Sequence, residues 1–227
     1  MHTSANIIAI DGPAASGKST IGRSLAEHMG YLYLDTGVMY RAVTYVVLQR
    51  QIPLEDQDAV TDLAYQLQID IQQSERDDLN GYRVYVDGKD VTQEIRQPEV
   101  DAHVSVVSAY PGVRQALSLK QRRIGLKGKI VMVGRDIGTV ILPEADLKVF
   151  LDASVEERAR RRYLEAQTRD ASILLDQIFE SMVERDRIDS TRDIAPLKPA
   201  EDAIIIDTDG LSVEQVLNRL LELASNS

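Results

Sequence analysis

Short aliphatic runs recur along the chain, and each ends at glycine or at charged residues. The runs of strand length are residues 7–10, 31–34, 129–133, 147–151 and 203–206. Continuous apolar runs of this length, bounded by turn residues, are typical of strands that are buried on both faces. We therefore predict five buried strands.

Segments with helical spacing separate the first of these runs. From Lys18 the pattern places Leu25 and Met29 on one face and stops at Gly30, and residues 38–49 again have helical spacing. Alternation of strand and helix predicts right-handed units with parallel strands.

The later helices are expected at residues 111–123, 154–189 and 212–223. The last of them starts with Ser212 and Gln215, which is the S-x-x-Q pattern of a capping box. We therefore predict an α/β fold of three layers, with a five-stranded parallel sheet flanked by helices.

The middle of the chain breaks the strand–helix alternation. Residues 68–73 and 82–86 alternate apolar and polar side chains, and Asp87-Gly88 is a favourable turn pair. This pattern predicts a small antiparallel insert at about residues 67–98. The total length favours one domain, residues 1–227.

Composition and charge narrow the classes of partner. Hydrophobic residues make up 44% and charged residues 27%, as in ordinary globular proteins. The absence of cysteine excludes disulfides and thiolate metal sites, which fits a cytoplasmic protein. A net charge of -10 disfavours nucleic acid and anionic membranes, and neither a signal peptide nor a membrane span is expected. An anionic ligand would therefore need a local cluster of arginines.

The first strand leads into a glycine-rich loop. Residues 12–19 match G-x-x-x-x-G-K-[ST] at every position. Such a loop points backbone N–H groups at an anion, while Lys18 would reach the phosphates and Ser19 would give one oxygen to a largely hydrated Mg²⁺. An ordinary glycine turn is the alternative, but the preceding strand and the following helix favour a nucleoside triphosphate site. The expected ATP-binding residues are Gly12, Pro13, Ala14, Ala15, Ser16, Gly17, Lys18, Ser19 and Thr20.

Two further patterns separate the classes of phosphate-loop protein. The chain has no N-K-x-D segment for reading guanine, and its third strand ends in Gly134-Arg135-Asp136 rather than in the Asp-Glu of motor ATPases. Arginines follow the strands, which suggests a second anionic substrate. We therefore expect phosphoryl transfer between two bound molecules.

Arg41 and Arg135 follow strand ends. Loops at the carboxyl edge of a parallel sheet face one crevice, so both arginines are expected near the phosphate loop. Arg41 could hold an acceptor phosphate, or it could be solvated beside a helix cap formed by Asp35 or Thr36. Arg135 suits a phosphate through its planar fork, and Asp136 could accept a hydrogen bond from a base amino group or order a water on the metal.

Two charge-rich segments lie in the later helical tract. Most arginines of residues 156–162 are expected on a solvated face, but Arg158 and Arg162 lie one turn apart and could close over phosphates as part of a lid. Residues 184–192 alternate arginine and aspartate. From the residues alone, this segment is either a surface network or a contact for the acceptor nucleoside.

The combination of motifs resembles bacterial cytidylate kinases. The matching segments are GPAASGKST, LDTGVMYRA, VDGKDVTQEIR, VGRDIGTVILPEADLKVFLDAS and ERDRIDSTRDIAPL, in order from about residue 8 to about residue 221. The resemblance implies transfer of the γ-phosphoryl group of ATP, bound with Mg²⁺, to CMP or dCMP. It also implies an acceptor-binding region at residues 36–110 and a short helical lid at residues 154–170. A monomer is expected.

The resemblance also implies roles for individual residues. Thr36 departs from the serine that the family often has there, because it keeps the hydroxyl but adds a methyl group. The implied catalytic residues are Lys18, Arg135, Asp136, Arg158 and Arg162. The implied CMP contacts are Arg41 and Arg135 to the phosphate, Ser105, Arg114, Asp136 and Arg192 to the cytosine, Arg185 and Asp189 to the ribose, and Thr36.

Two alternatives to this function stay open. One is a phosphate-loop kinase for another small acceptor, such as a sugar acid or a different nucleotide. The other is a nucleotide-binding regulator, which would bind ATP but release no ADP in response to an acceptor. The arginine clusters beyond the first loop count against the regulator.

Overall fold

The computed structural model describes residues 4–73, 82–167 and 173–225. The chain divides into two compact units. The first unit comprises Met1–Leu34 and Gly125–Ser227, and the second comprises Asp35–Ile124. The larger sheet belongs to the first unit and the smaller sheet to the second.

Strands and helices alternate as predicted in most of the described chain. The strands are β1 (Ile7–Asp11), β2 (Leu32–Asp35), β3 (Ile69–Gln73), β4 (Tyr82–Val86), β5 (Lys89–Asp90), β6 (Ile130–Gly134), β7 (Leu147–Asp152) and β8 (Ile204–Asp207). The α-helices are α1 (Lys18–Met29), α2 (Gly37–Gln49), α3 (Gln57–Gln66), α4 (Pro98–Ala109), α5 (Pro111–Gly125), α6 (Val155–Gln167), α7 (Leu175–Thr191) and α8 (Val213–Ser225).

The larger sheet has five strands in the order β2-β6-β1-β7-β8. Strand β1 pairs in parallel with β6 on one side and with β7 on the other, and β7 pairs in parallel with β8. At the carboxyl end of β1, Asp11 lies opposite Gly134 of β6 and opposite Phe150 of β7. The predicted five-stranded parallel sheet is therefore confirmed, and β1 and β6 end at the same level while β7 continues to Asp152.

The core of the first unit lies between this sheet and helices α1 and α8. Ile8, Leu25 and Leu220 have no exposed surface there. Gly22 allows α1 to approach the sheet, because a Cβ atom at this position would lie 2.5 Å from Cγ1 of Val133. Removal of these apolar side chains from water is the main force that holds the helices on the sheet.

The second unit contains the antiparallel insert that the alternating pattern predicts. Strands β3, β4 and β5 pair antiparallel in that order, and Tyr82, Val84 and Val86 of β4 are buried on one face. The turn at Asp87-Gly88 joins β4 to β5. Residues 74–81, which the predicted insert includes, lie outside the described residues.

The prediction of a single helical tract at residues 154–189 is wrong. Helix α6 ends at Gln167 and α7 begins at Leu175, and the preceding Leu174 has an extended backbone, with φ -99° and ψ 140°. Residues 168–170 of the predicted lid lie outside the described residues. The charge-rich residues on both sides hid this break, because charged residues favour both solvated helices and loops, although the uncharged residues 171–175 interrupt the pattern.

Four other elements of the described chain were not predicted. They are α3, α4, a 3-10 turn at Glu94–Arg96 and a π-helical turn at Ile137–Ile141. The sequence of α4 did contain indications of a helix. Pro98 occupies the first turn, and Val100, Val104 and Val107 have helical spacing and are buried on one face. In the part of the chain that the structure describes, no helix is both long and apolar enough to span a bilayer.

The capping box of α8 forms as predicted. The Ser212 hydroxyl accepts a hydrogen bond from Gln215 N at 3.2 Å, and Gln215 Oε1 accepts one from Ser212 N at 2.8 Å. We expect Ser212→Ala to lower the free energy of unfolding by about 1 kcal/mol, because a first-turn N–H group loses its acceptor. Chemical denaturation measures this change.

The control for this prediction is Ser225→Ala, the same substitution at the other end of α8. The Ser225 hydroxyl donates to the Leu221 carbonyl and caps no N–H group of the first turn. A loss of stability that is equal in the two variants would contradict the role of the capping box.

Candidate active site

The loop between β1 and α1 has the backbone that its glycines predict. Gly17 and Ala15 adopt left-handed conformations, with φ 93° and 60°. A Cβ atom on Gly12 would lie 2.1 Å from the Leu151 carbonyl oxygen, so only glycine fits at this position. These conformations let successive N–H groups turn toward one side, which is the geometry of an anion site at the start of a helix.

Lys18 is the first residue of α1, and its side chain is buried over the loop. Its ammonium group donates to the Pro13 carbonyl at 2.5 Å and to the Ser16 hydroxyl at 3.3 Å. Ser16 itself has no exposed surface. The loop therefore holds a positive charge directly above its own backbone.

The Ser19 hydroxyl is the group near the loop that fits a magnesium ligand. Ser19 is exposed in the first turn of α1. Among the described residues, no cluster of three or more carboxylate or histidine side chains could hold a metal by itself. Mg²⁺ commonly keeps several waters and takes its other ligands from phosphates and one or two side chains, so a single hydroxyl suits it.

Arg158 in the first turn of α6 reaches the phosphate loop. It is 4% exposed, and its Nε donates to the Ala153 carbonyl at 2.9 Å. Its Nη1 donates to the Ala14 carbonyl at 3.3 Å. Both Nη atoms donate to the Asp186 carboxylate of α7, at 3.1 and 2.5 Å. Asp186 was not predicted as a site residue. The only indication in the sequence was the alternation of arginine and aspartate around it.

Arg162 lies one turn further along α6, and it has a different environment from Arg158. Its side chain is 38% exposed and donates to Glu165 at 3.0 Å. The two arginines were predicted to act together. The described contacts connect Arg158 to the phosphate loop and Arg162 to its own helix.

Arg161 and Thr208 form a further contact that was not predicted. Arg161 donates to the Thr208 carbonyl at 2.8 Å and to its hydroxyl at 3.1 Å. The buried Thr208 hydroxyl donates to the Asp152 carbonyl at 3.0 Å and lies 3.5 Å from the Ser16 carbonyl. Thr208, the residue after β8, therefore joins α6 to the phosphate loop. No sequence motif around Thr208 indicates these contacts.

Asp189 of α7 brings two predicted site arginines together. Arg135 Nε donates to Asp189 Oδ2 at 2.5 Å, and Arg192 Nη1 donates to Oδ1 at 3.3 Å. Burial alone would raise the pKa of Asp189, but the charges of Arg135, Arg185 and Arg192 together lower it. Segment 184–192 is therefore part of a buried network and not only a surface one.

Asp136 is buried beside Arg135 and begins the π-helical turn Ile137–Ile141. Its carbonyl oxygen accepts hydrogen bonds from Val140 N at 2.9 Å and Ile141 N at 3.2 Å. Its backbone thus closes the turn that follows β6.

In the second unit, Arg41 is held between two partners. It donates to the Asp101 carboxylate at 2.5 Å and to the Ile95 carbonyl at 3.2 Å, and its side chain is 22% exposed. The Asp35 carboxylate accepts from Gly37 N at 3.0 Å at the start of α2, while Thr36 is buried. The alternative interpretation was a helix cap by Asp35 beside a solvated Arg41. The cap by Asp35 is present. Arg41 is not solvated, because it is held by Asp101 and by the Ile95 carbonyl.

Arg114 is also fixed within the second unit. It is 3% exposed, and its guanidinium lies 5.4 Å from the ring centre of Tyr40 and donates to the Ser108 carbonyl at 3.1 Å. Ser105 lies one turn after Asp101 on α4. Since Asp101 binds Arg41 and Tyr40 neighbours Arg41 in α2, the predicted residues Arg41, Ser105 and Arg114 belong to one region of this unit.

The insert adds a buried tyrosine to the second unit. Arg96 donates to the Tyr82 hydroxyl at 2.9 Å and lies 5.9 Å from the centre of its ring. Burial raises the pKa of Tyr82 to about 12, with the Asp35 carboxylate acting in the same direction. Neither residue was predicted as a site residue, although Arg96 ends the E-I-R segment of the insert motif.

Comparison with known proteins identifies close relatives over nearly the whole chain. A family model described as cytidylate kinase matches residues 8–226. A cytidylate kinase of Geobacillus sp. (strain WCH70) is 48% identical over 96% of this chain and 96% of its own length. A cytidylate kinase of Desulfitobacterium hafniense (strain Y51) is 47% identical over 95% of this chain and 91% of its own. A bifunctional pantoate ligase/cytidylate kinase of Synechococcus sp. (strain JA-2-3B'a(2-13)) is 50% identical over 96% of this chain, which spans 40% of that longer protein.

Solved structures resemble the chain with little sequence in common. An uncharacterized protein from Eubacterium ventriosum ATCC 27560 has a TM-score of 0.50 and 13% identity, over 98% of this chain and 99% of its own. A shikimate kinase from Bacteroides thetaiotaomicron has a TM-score of 0.49 and 13% identity, over 95% of this chain and 96% of its own. At this identity, the likeness to the first protein concerns the fold alone.

The network around Asp189 predicts a pH dependence of stability. Because its folded pKa is lowered, its carboxylate stabilises the fold above its ordinary pKa of 3.8, and that stability is lost as the pH falls through the folded value. At pH 7 we expect Asp189→Asn to lower the free energy of unfolding by about 3 kcal/mol, since buried arginines lose their counter-charge. The difference from the wild type should narrow below about pH 4.

Denaturation curves between pH 3 and pH 8 would measure this effect. The control is Glu184→Gln, which removes an exposed carboxylate that pairs with Arg187 on the same helix. We expect a smaller change in this control, because exposed ion pairs contribute little. A difference between wild type and Asp189→Asn that is the same at every pH would contradict the prediction.

Proposed function

Because the chain belongs to the cytidylate kinase family, we propose that it transfers the γ-phosphoryl group of ATP to CMP or dCMP. The products are ADP and CDP or dCDP. The observation that carries the proposal is the group of buried cations in the first unit of an acidic protein. Lys18, Arg158 and Arg192 are all nearly buried there, and a chain of net charge -10 gathers such charges where anions bind.

The donor side of the reaction rests on the phosphate loop. Its N–H groups and Lys18 would hold the β- and γ-phosphates of ATP. Arg158 donates to the Ala14 carbonyl of this loop, and its positive charge would also act on these phosphates. The oxygen of the acceptor phosphate is already a nucleophile, so no general base is needed. Catalysis then consists of alignment and of neutralising charge on the transferred group.

The acceptor residues are proposed from the family resemblance. Arg41 and Arg135 would contact the phosphate of CMP, and Arg185 and Asp189 its ribose. The residues proposed for the cytosine are Ser105, Arg114, Asp136 and Arg192, with Thr36 as a further contact. Cytosine carries an amino donor at N4 and acceptors at N3 and O2, which carboxylate and guanidinium groups complement. Uracil has an acceptor in place of that amino group, so buried polar groups would be left mismatched.

Mg²⁺ is the proposed cofactor. When bound with ATP, it would neutralise charge between the β- and γ-phosphates, and the Ser19 hydroxyl would be its ligand from the protein. Lys18 and the arginines would act on the remaining phosphate oxygens. A cytoplasmic location and a monomeric state are also proposed, on the ground of the family alone.

Substrate choice is the first test of the proposed function. ADP release from Mg·ATP should require CMP or dCMP and should be much lower with UMP, AMP or shikimate. With Arg192→Met, we expect the ratio of kcat/KM for CMP to that for UMP to fall about 10- to 100-fold, because a charged hydrogen bond to the base is lost.

The control for this test is Arg187→Met, which changes an exposed arginine that pairs with Glu184 on the same helix. It should leave the substrate preference unchanged. ADP release with a sugar acid alone would favour the other kinase class, and ATP binding without acceptor-dependent ADP release would favour the regulator. Asp189→Ala would be a less clear test of the ribose contact, because Asp189 also binds Arg135 and Arg192.

Removal of the Arg158 charge is the second test. We expect Arg158→Met to lower kcat roughly 10²- to 10³-fold, as for other preorganised groups that stabilise developing charge. The control is Arg160→Met on the same helix, since Arg160 is 58% exposed and pairs with Glu157. Steady-state kinetics with saturating CMP would measure both variants. An Arg158→Met enzyme with kcat within about threefold of the wild type would remove Arg158 from the catalytic set.

A further inference from the structure

Asp11 is the last residue of β1 and directly precedes the phosphate loop. Its carboxylate is buried, with 4% of the residue exposed. Oδ1 accepts a hydrogen bond from Ile137 N and Oδ2 accepts one from Gly138 N, both at 2.8 Å. These N–H groups start the turn that immediately follows Arg135 and Asp136. One side chain therefore connects the loop proposed for ATP to the segment proposed for CMP.

The turn depends on Asp11 because it has no local cap. The first N–H groups of a helical turn have no partner within the turn and need an acceptor. Asp136 occupies the capping position, but its side chain makes no capping hydrogen bond. Asp11 takes this role from a distant part of the sequence. The side chain of Asp136 is thus not committed to capping the segment that it begins.

The backbone of Asp11 is held independently of its side chain. It lies in the sheet with Gly134 of β6 opposite on one side and Phe150 of β7 on the other. The start of the phosphate loop is therefore fixed by two strands. The turn after Arg135 instead meets the carboxylate itself, and a Cβ atom on Gly138 would lie 3.4 Å from Asp11 Oδ2 and 3.2 Å from Lys148 Cδ.

We infer that Asp11 is a positioning residue for the acceptor, because its carboxylate fixes the segment bearing Arg135 and Asp136 against the start of the phosphate loop. The inference rests on the proposed function, in which Arg135 and Asp136 bind CMP. A buried carboxyl is costly to keep. Burial raises the pKa of Asp11 to about 7, although the N–H groups of Ile137 and Gly138 lower it. Its two hydrogen bonds are the contacts that offset this cost.

Asp11→Asn tests this inference with little change of shape. The amide oxygen can accept from one N–H group, but the amide NH₂ would face the other donor, so the turn must shift. We expect kcat/KM for CMP to fall about 10- to 100-fold, because misplacing a reacting group by about 1 Å has effects of this size. KM for ATP should change by less than about threefold, because the sheet holds the start of the loop.

Asp146→Asn is a matched control at the opposite end of β1. Asp146 Oδ2 accepts from Asn6 N at 2.9 Å and from Ile7 N at 2.8 Å, so the same substitution changes another carboxylate that binds two successive backbone N–H groups, here through one oxygen that an amide can replace. We expect unchanged kinetic constants for both substrates in this variant. If Asp11→Asn does not fold, Gly138→Ala disturbs the same contact from the other side and should give the same difference between CMP and ATP.

Two results would overturn the inference: a wild-type kcat/KM for CMP in both Asp11→Asn and Gly138→Ala, or equal losses for CMP and ATP. If the wild type released no ADP with CMP, the proposed function would fail instead. Calorimetric titration with CMP and with Mg·ATP would then decide the inference by itself. CMP binding weakened in Asp11→Asn with ATP binding unchanged would support it, and equal or absent changes would overturn it.

Discussion

The register of the three inner strands is the constraint on which the site depends. With Asp11 opposite both Gly134 and Phe150, β1 and β6 end at one level of the sheet, and β7 continues for two more residues to Asp152. Whatever follows these strands must therefore lie at one edge. The phosphate loop follows β1, and the segment with Arg135 and Asp136 follows β6. A shift of one residue in this register would separate the loop from Arg135 and would also reverse the buried faces of the strands.

Carboxylates then determine where the arginines of this edge point. Asp189 receives Arg135 and Arg192, and Asp186 receives both Nη atoms of Arg158. Both aspartates belong to α7, so a single helix orients guanidinium groups that come from β6, from α6 and from its own end. This arrangement holds long side chains in one conformation before any ligand binds, which lowers the entropy lost on binding.

Features with local causes were predictable from the sequence. Aliphatic runs indicated the five strands, the glycine spacing indicated the loop around Lys18, and Ser212 with Gln215 indicated a cap. Contacts between distant residues were not predictable from spacing. Asp11 and Ile137 are 126 residues apart, and Thr208 contacts Arg161 through its backbone carbonyl, which every residue possesses. Family resemblance supplied the proposed roles of Arg185 and Arg192, because an arginine–aspartate alternation alone fits a surface network equally well.

The ion pairs also bear on the proposed binding of anions by an acidic chain. Arg41, Arg135 and Arg158 each already have a carboxylate partner at 2.5 Å. A phosphate that approaches one of them meets a group that is partly neutralised, so it gains less than it would from an isolated cation. A guanidinium has five N–H donors, however, and it can serve a carboxylate and a phosphate together. In the proposed reaction the pairs would lower the affinity for phosphate but fix the orientation of the guanidinium groups, which favours turnover because products as well as substrates must leave the site.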